Sequence, residues 1–152
     1  MRRIYVLVTG FLVWLVMFVI AAFSTMLTTS SIYAKDPEIW KATGTTWLIG
    51  IVLFYLLAGL VYTLMYTVMG ARFRGPALAK GLLYGLIMWL IGPLPLFLIA
   101  NLSVAVSTDV IVSALFSAIL HTLAAGVLIA YLFDMMRGDT GGEIEVKKSK
   151  KR

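Results

Sequence analysis

The run Val110-Ile-Val-Ser113-Ala-Leu-Phe-Ser117-Ala-Ile-Leu-His121-Thr-Leu-Ala-Ala-Gly-Val-Leu-Ile-Ala-Tyr-Leu-Phe133 holds no Lys, Arg, Asp or Glu, yet carries the only histidine of the chain near its centre. As a helix it rises about 36 Å, enough to cross a bilayer core of about 30 Å with some tilt. Asp109, Ser113, Ser117 and His121 recur at every fourth position, so they form one slowly drifting polar stripe along that helix. Ionisable groups are expensive in hydrocarbon, so a titratable ring at mid-helix marks a candidate functional site.

Composition agrees with a membrane setting. Of 152 residues 61% are hydrophobic and only 13% charged, about half the charged share of soluble domains. The length suggests one domain, and no polar stretch is long enough for a second, soluble one. The absence of cysteine excludes disulfides, thiolate metal sites and cysteine redox relays. The net charge of +6 comes largely from the C-terminal tail. Most aromatics lie inside apolar runs, so the charge points to anionic lipid headgroups rather than to nucleic acid.

Four apolar runs predict spanning helices over about 4–27, 46–69, 77–100 and 109–133. The first follows Arg2 and Arg3 and precedes Ile32-Tyr33-Ala34, a passable signal-cleavage site. It far exceeds the usual apolar core of a signal peptide, so it is expected to stay as a helix. Asp36-Pro37-Glu38 is a helix-start signal, which predicts a short interfacial helix over about 37–43, anchored by Trp40. On the second helix Tyr55, Gly59, Tyr62, Thr63 and Tyr66 share one face, expected to look into the bundle. A basic turn follows, with Arg72, Arg74 and then Lys80. On the third helix Gly81 and Gly85 form a GxxxG notch for close packing. Pro93 and Pro95 predict a kink or break, since each removes a backbone donor. The domain is therefore expected over 1–134. The Gly-rich, basic segment 135–152 reads as a flexible tail.

Topology follows from charge. Four crossings put both ends on one side together with Arg2, Arg3, Arg72, Arg74, Lys80, Arg137, Lys147, Lys148, Lys150, Lys151 and Arg152, against only Lys35 and Lys41 opposite. This bias predicts cytoplasmic N- and C-termini. Arg72, Arg74, Lys80, Lys147, Lys148, Lys150, Lys151 and Arg152 form the expected lipid-surface basic set.

Three roles compete for His121. As structural glue it would hydrogen-bond a tyrosine or a carbonyl on a neighbouring helix, with Tyr62 and Tyr66 as candidates; such bonds average about 0.6 kcal/mol. As a protonatable gate it would serve a water-filled path along Asp109, Ser113 and Ser117. As a haem ligand it would need a second histidine, which only another copy could bring. Hydrolytic chemistry has little support, because no nucleophile elbow or His-Glu-x-x-His pattern occurs. No enzyme activity, cofactor or metal is expected.

The segment Lys80-Gly-Leu-Leu-Tyr-Gly-Leu-Ile-Met-Trp-Leu-Ile-Gly92, with Pro93 after it, resembles small four-helix prokaryotic inner-membrane proteins of uncharacterised families. The resemblance implies a multi-pass protein of the inner (plasma) membrane and transfers no functional residues. The expectation is thus an all-α, integral membrane four-helix bundle. Its expected role is a structural or accessory subunit, as a homo-oligomer or within a larger complex. A small proton-linked channel or transporter with His121 in the pathway is the alternative.

Overall fold

A computed structural model describes the backbone of residues 2–33, 45–103 and 107–149, and the side chains of residues 4–24, 26, 48–102 and 107–136. The interfacial helix expected over 37–43 lies outside the described residues, as do Lys150, Lys151 and Arg152. Among the described residues the chain is all α and contains no strand. Helix α1 spans Arg2–Tyr33, α2 Thr45–Met69, α3 Ala77–Ile91, α4 Pro93–Ser103 and α5 Thr108–Ser149. Four stretches are long and apolar enough to cross a membrane: Ile4–Ser24, Leu48–Arg72, Ala77–Leu102 and Thr108–Met136. The third joins α3 to α4.

The third apolar run is not one helix. At Gly92 the backbone leaves the helical region, with φ −98° and ψ −85°. Pro93 and Pro95 have no N–H, so the carbonyls of Trp89 and Ile91 lose their usual helical donors. The Gly92 N–H still closes α3 on the Met88 carbonyl at 3.0 Å, and the Leu96 N–H reaches back to Gly92 at 3.5 Å. The break expected from the two prolines is therefore a joint centred on the glycine before them.

Two ends differ from expectation. Helix α1 continues to Tyr33 because Thr28, Thr29, Ser30 and Ser31 are weak helix formers, not breakers. Helix α5 runs to Ser149, past the end expected at 133, through a segment read from composition as a flexible tail. Its backbone stays helical through Gly138, Gly141 and Gly142, each of which costs about 1 kcal/mol relative to Ala. No proline interrupts the segment, and an existing helix lengthens without a new nucleation step.

Helices α3 and α5 pack most extensively, α1 lies on both α2 and α5, and α2 touches α5 only lightly. Helix α2 makes no extended backbone approach to α3 or α4. Gly81 and Gly85 decide the α3–α5 crossing. A Cβ on Gly81 would run into the backbone of Val127, and one on Gly85 would stand 2.6 Å from the Thr122 carbonyl oxygen. Gly126 completes the seam from the α5 side, where a Cβ would meet the Gly81 carbonyl. The α1–α2 crossing repeats the device with Gly10 and Gly59; a Cβ on Gly59 would lie 2.7 Å from the Gly10 carbonyl oxygen. In both crossings earlier residues of one helix meet later residues of the other, so the partners run antiparallel. The expected notch of Gly59, Gly81 and Gly85 is thus two seams, each completed by a glycine of the opposite helix.

Candidate functional site

The largest fully buried side chains among the described residues are Val13, Met17, Thr63, Tyr84, Thr122 and Ile129. The two threonines are satisfied within their own helices. Thr63 donates to the Gly59 carbonyl at 2.9 Å, and Thr122 to the Ile119 carbonyl at 3.1 Å. Tyr84 donates across the gap to the Tyr62 carbonyl at 2.6 Å, so a long aromatic side chain bridges α2 and α3 where their backbones stand apart. Around it Tyr66, Phe73 and Phe133 meet mostly edge to face, at centroid distances of 5.0 to 6.4 Å. At the same end Lys80 forms a two-pronged salt bridge with Asp134.

His121 sits on α5 at 8% exposure. Its ring partner is Tyr55, perpendicular to it at 86° with centroids 5.6 Å apart. Its Nδ1 is buried without a hydrogen-bond partner among the described residues. Ser117, one turn earlier, is joined to Ser24 of α1 at 2.5 Å, and Ser24 also donates to the carbonyls of its own helix. Ser113 is half-buried, and Asp109 is exposed at the start of α5. The stripe expected from the four-residue spacing therefore divides. Its middle rung faces α1, its histidine faces α2, and its acid lies at the end.

Of the tyrosines expected near His121, the structure places Tyr66 in a different cluster. Tyr66 is 4% exposed inside the Tyr84 cluster, more than two turns along α2 from Tyr55. Helical side chains lean towards the N-terminus of their helix, which carries the Tyr66 ring into the aromatic cluster beside Phe133. The Tyr62 hydroxyl instead approaches the break: a Cβ on Gly92 would lie 4.0 Å from it. Tyr62 thus approaches the α3–α4 joint, whereas Tyr55 packs on Phe18 of α1 and His121 of α5.

Lys80 is also not a free lipid-surface cation. Its side chain is 15% exposed because Asp134, one residue past the expected end of the fourth span, reaches it. Arg72 and Arg74 are exposed, in keeping with the basic turn. Ser24, Gly10 and Gly126 carry contacts that the sequence reading missed. Ser24 offered no periodic signal, whereas Gly126 follows Ala124-Ala125, a small-residue run that marks close packing. Among the described residues no three His, Cys, Asp or Glu side chains gather as a metal site would require.

These observations define the class: an all-α chain with four helices apolar enough to cross a membrane and an uncharged polar layer of His121, Tyr55 and Ser117 between them. No known protein family, curated protein or solved structure matches the chain.

Proposed function

We propose that this chain is a multi-pass protein of the cell (plasma) membrane, with both termini cytoplasmic, acting as a structural or accessory subunit. The observation that carries the reading is the glycine seam of Gly81, Gly85 and Gly126. Backbones in such contact cannot slide or rotate without clashing, so α3 and α5 move as one body. Lys80 and Asp134 fasten the same pair of helices by charge. A scaffold has a use for such rigidity, whereas a carrier that rocks one half of its bundle against the other does not. The orientation rests on the basic residues, eleven of thirteen of which fall on the terminal side. The outward surface, including Phe11, Phe54, Leu57 and Phe116, is apolar and suits lipid or a partner helix. Arg72 and Arg74, with Lys147 and Lys148 near the end of α5, would meet anionic headgroups at the cytoplasmic face.

The second reading, a small proton-linked channel or transporter, is favoured by the unpartnered Nδ1 of His121. Native mass spectrometry of the protein gently extracted from its own membrane separates the two. A defined heteromer supports the accessory role, and a bare homo-oligomer shifts weight to permeation.

A further inference from the structure

Beyond the subunit reading and independently of it, we infer that α4 is a hinged arm that swings about Gly92 while α3 stays fixed on α5. The two halves of the third span are held very differently. Helix α3 buries Gly81, Tyr84, Gly85 and Met88. Polar contacts fasten it along its length: Lys80 to Asp134, Tyr84 to the Tyr62 carbonyl, and the Trp89 indole N–H to the Leu115 carbonyl of α5 at 3.3 Å. Among them lies the glycine seam, whose backbones cannot slide past one another. Helix α4 has no such fastenings. From Pro93 to Leu102 no residue is buried, and Leu96, Leu98, Ile99 and Leu102 are 51–87% exposed. Its one described polar side chain outside the prolines' turn, Asn101, is exposed too. No glycine in α4 lets its backbone close on α5, which it touches only lightly.

The joint between the halves is built to bend. A continuous helix resists bending through its ladder of backbone hydrogen bonds, and here Pro93 and Pro95 remove the donors that would face the Trp89 and Ile91 carbonyls. The Leu96 N–H reaches Gly92 only at 3.5 Å, the outer limit of a hydrogen bond. Hinges are a few element-terminal residues that absorb a change in φ and ψ, and Gly92 already lies off the helical region. No neighbouring backbone clamps this pivot: a Cβ there would meet only the Met88 carbonyl oxygen at 3.1 Å and the Tyr62 hydroxyl at 4.0 Å. The far end of the arm is tethered. Ser103 and Thr108 are five chain steps apart, a reach of at most about 18 Å. The antiparallel register that sets Gly81 by Val127 and Trp89 by Leu115 carries α4 alongside the first turns of α5. The arm therefore covers and uncovers those turns within a bounded arc.

The test measures distances between paired spin labels on the full-length chain in lipid nanodiscs, diluted with unlabelled chain so that only pairs within one copy report. The chain has no cysteine, so each label has a single address. Leu98→Cys with Val112→Cys reports α4 against α5, and Leu82→Cys with Tyr131→Cys reports α3 against α5; all four positions are exposed. The α3–α5 pair is expected to give one narrow peak. The α4–α5 pair is expected to give two peaks, or one about twice as wide. Gly92→Ala/Pro93→Ala/Pro95→Ala restores the missing donors and should narrow the α4–α5 distribution to the width of the α3–α5 pair. Equal widths for the two pairs without changes at the joint overturn the proposal, and that comparison does not depend on the triple variant folding. An α4–α5 distribution that stays wide in the triple variant, with the α3–α5 peak still narrow, overturns it as well.

Discussion

Lys80 Nζ lies 2.8 and 3.0 Å from the two carboxylate oxygens of Asp134, binding the first turn of α3 to the last apolar turn of α5. The pair closes the end of the antiparallel α3–α5 seam, one residue before Gly81 on one side and eight beyond Gly126 on the other. It is only partly screened from its surroundings, with side-chain exposures of 15% and 32%.

Removing one partner leaves the other charge partly buried. Exposed pairs contribute under about 1 kcal/mol and breaking fully buried ones costs about 3–5, so Lys80→Met is expected to cost about 2 kcal/mol. The charge-reversed double variant Lys80→Asp/Asp134→Lys should recover most of that loss. Thermal unfolding in detergent, run as a double-mutant cycle, measures the coupling. Additive losses would mean that the two side chains do not act as a pair.

The glycine seam makes a sharper prediction. Gly126→Ala places a methyl group against the Gly81 carbonyl and 2.8 Å from the Gly85 nitrogen, and none of these backbone atoms can turn aside. Overpacking of this kind costs about 1–3 kcal/mol, and the α3–α5 crossing should widen. Gly50→Ala is the control, since a Cβ there meets nothing within 4 Å. It should leave stability within about 1 kcal/mol of wild type, on the stabilising side by helix propensity. Distances between spin labels on α3 and α5, with thermal unfolding, check both.

Much of this fold is legible in the residues. Uninterrupted apolar runs give spans by length alone, and the prolines at 93 and 95 announce a break. What the sequence hides is azimuth: which neighbour each helix face meets. The stripe from Asp109 to His121 is real on α5, but adjacent rungs look at different helices, so Ser117 finds Ser24 while His121 finds Tyr55. The tyrosines of α2 likewise share a face yet reach different partners, because their long side chains lean along the axis. Lys80 reads as a surface cation because Asp134 is 54 residues away and only the antiparallel packing brings them together. The helical continuation to Ser149 is invisible to composition, which counts its glycines and not the helix that feeds into them.

Orientation is open to direct chemistry, because the chain has no cysteine of its own. A single Ala42→Cys, in the connection between the first two spans, should react with a membrane-impermeant maleimide in intact cells. Ser149→Cys should react only after permeabilisation. In the proposed orientation the excess of lysine and arginine on the terminal side sets this arrangement. Replacing Arg2, Arg3, Arg72 and Arg74 by Gln should therefore weaken the difference between the two positions. The reverse labelling pattern in wild type would refute cytoplasmic termini.

His121 separates scaffold from pathway. In the scaffold reading its ring fills space against Tyr55, an aromatic contact contributing about 0.5–1.5 kcal/mol beyond its area. His121→Ala should thus lower thermal stability by about 2 kcal/mol once the lost packing is added. Proton flux in proteoliposomes should stay at the wild-type level across a pH gradient. A continuous proton path would need Ser117 to pass a proton between Asp109 and His121. Ser117 is instead bonded to Ser24, and Ser24 is also bonded to the Ile20 and Ala21 carbonyls of α1. A wild-type flux above that of empty liposomes, abolished by His121→Ala but not by His121→Gln, would point to a hydrogen-bonded pathway and remove the scaffold reading. Loss of stability with flux unchanged is the outcome that the perpendicular packing of His121 on Tyr55 predicts.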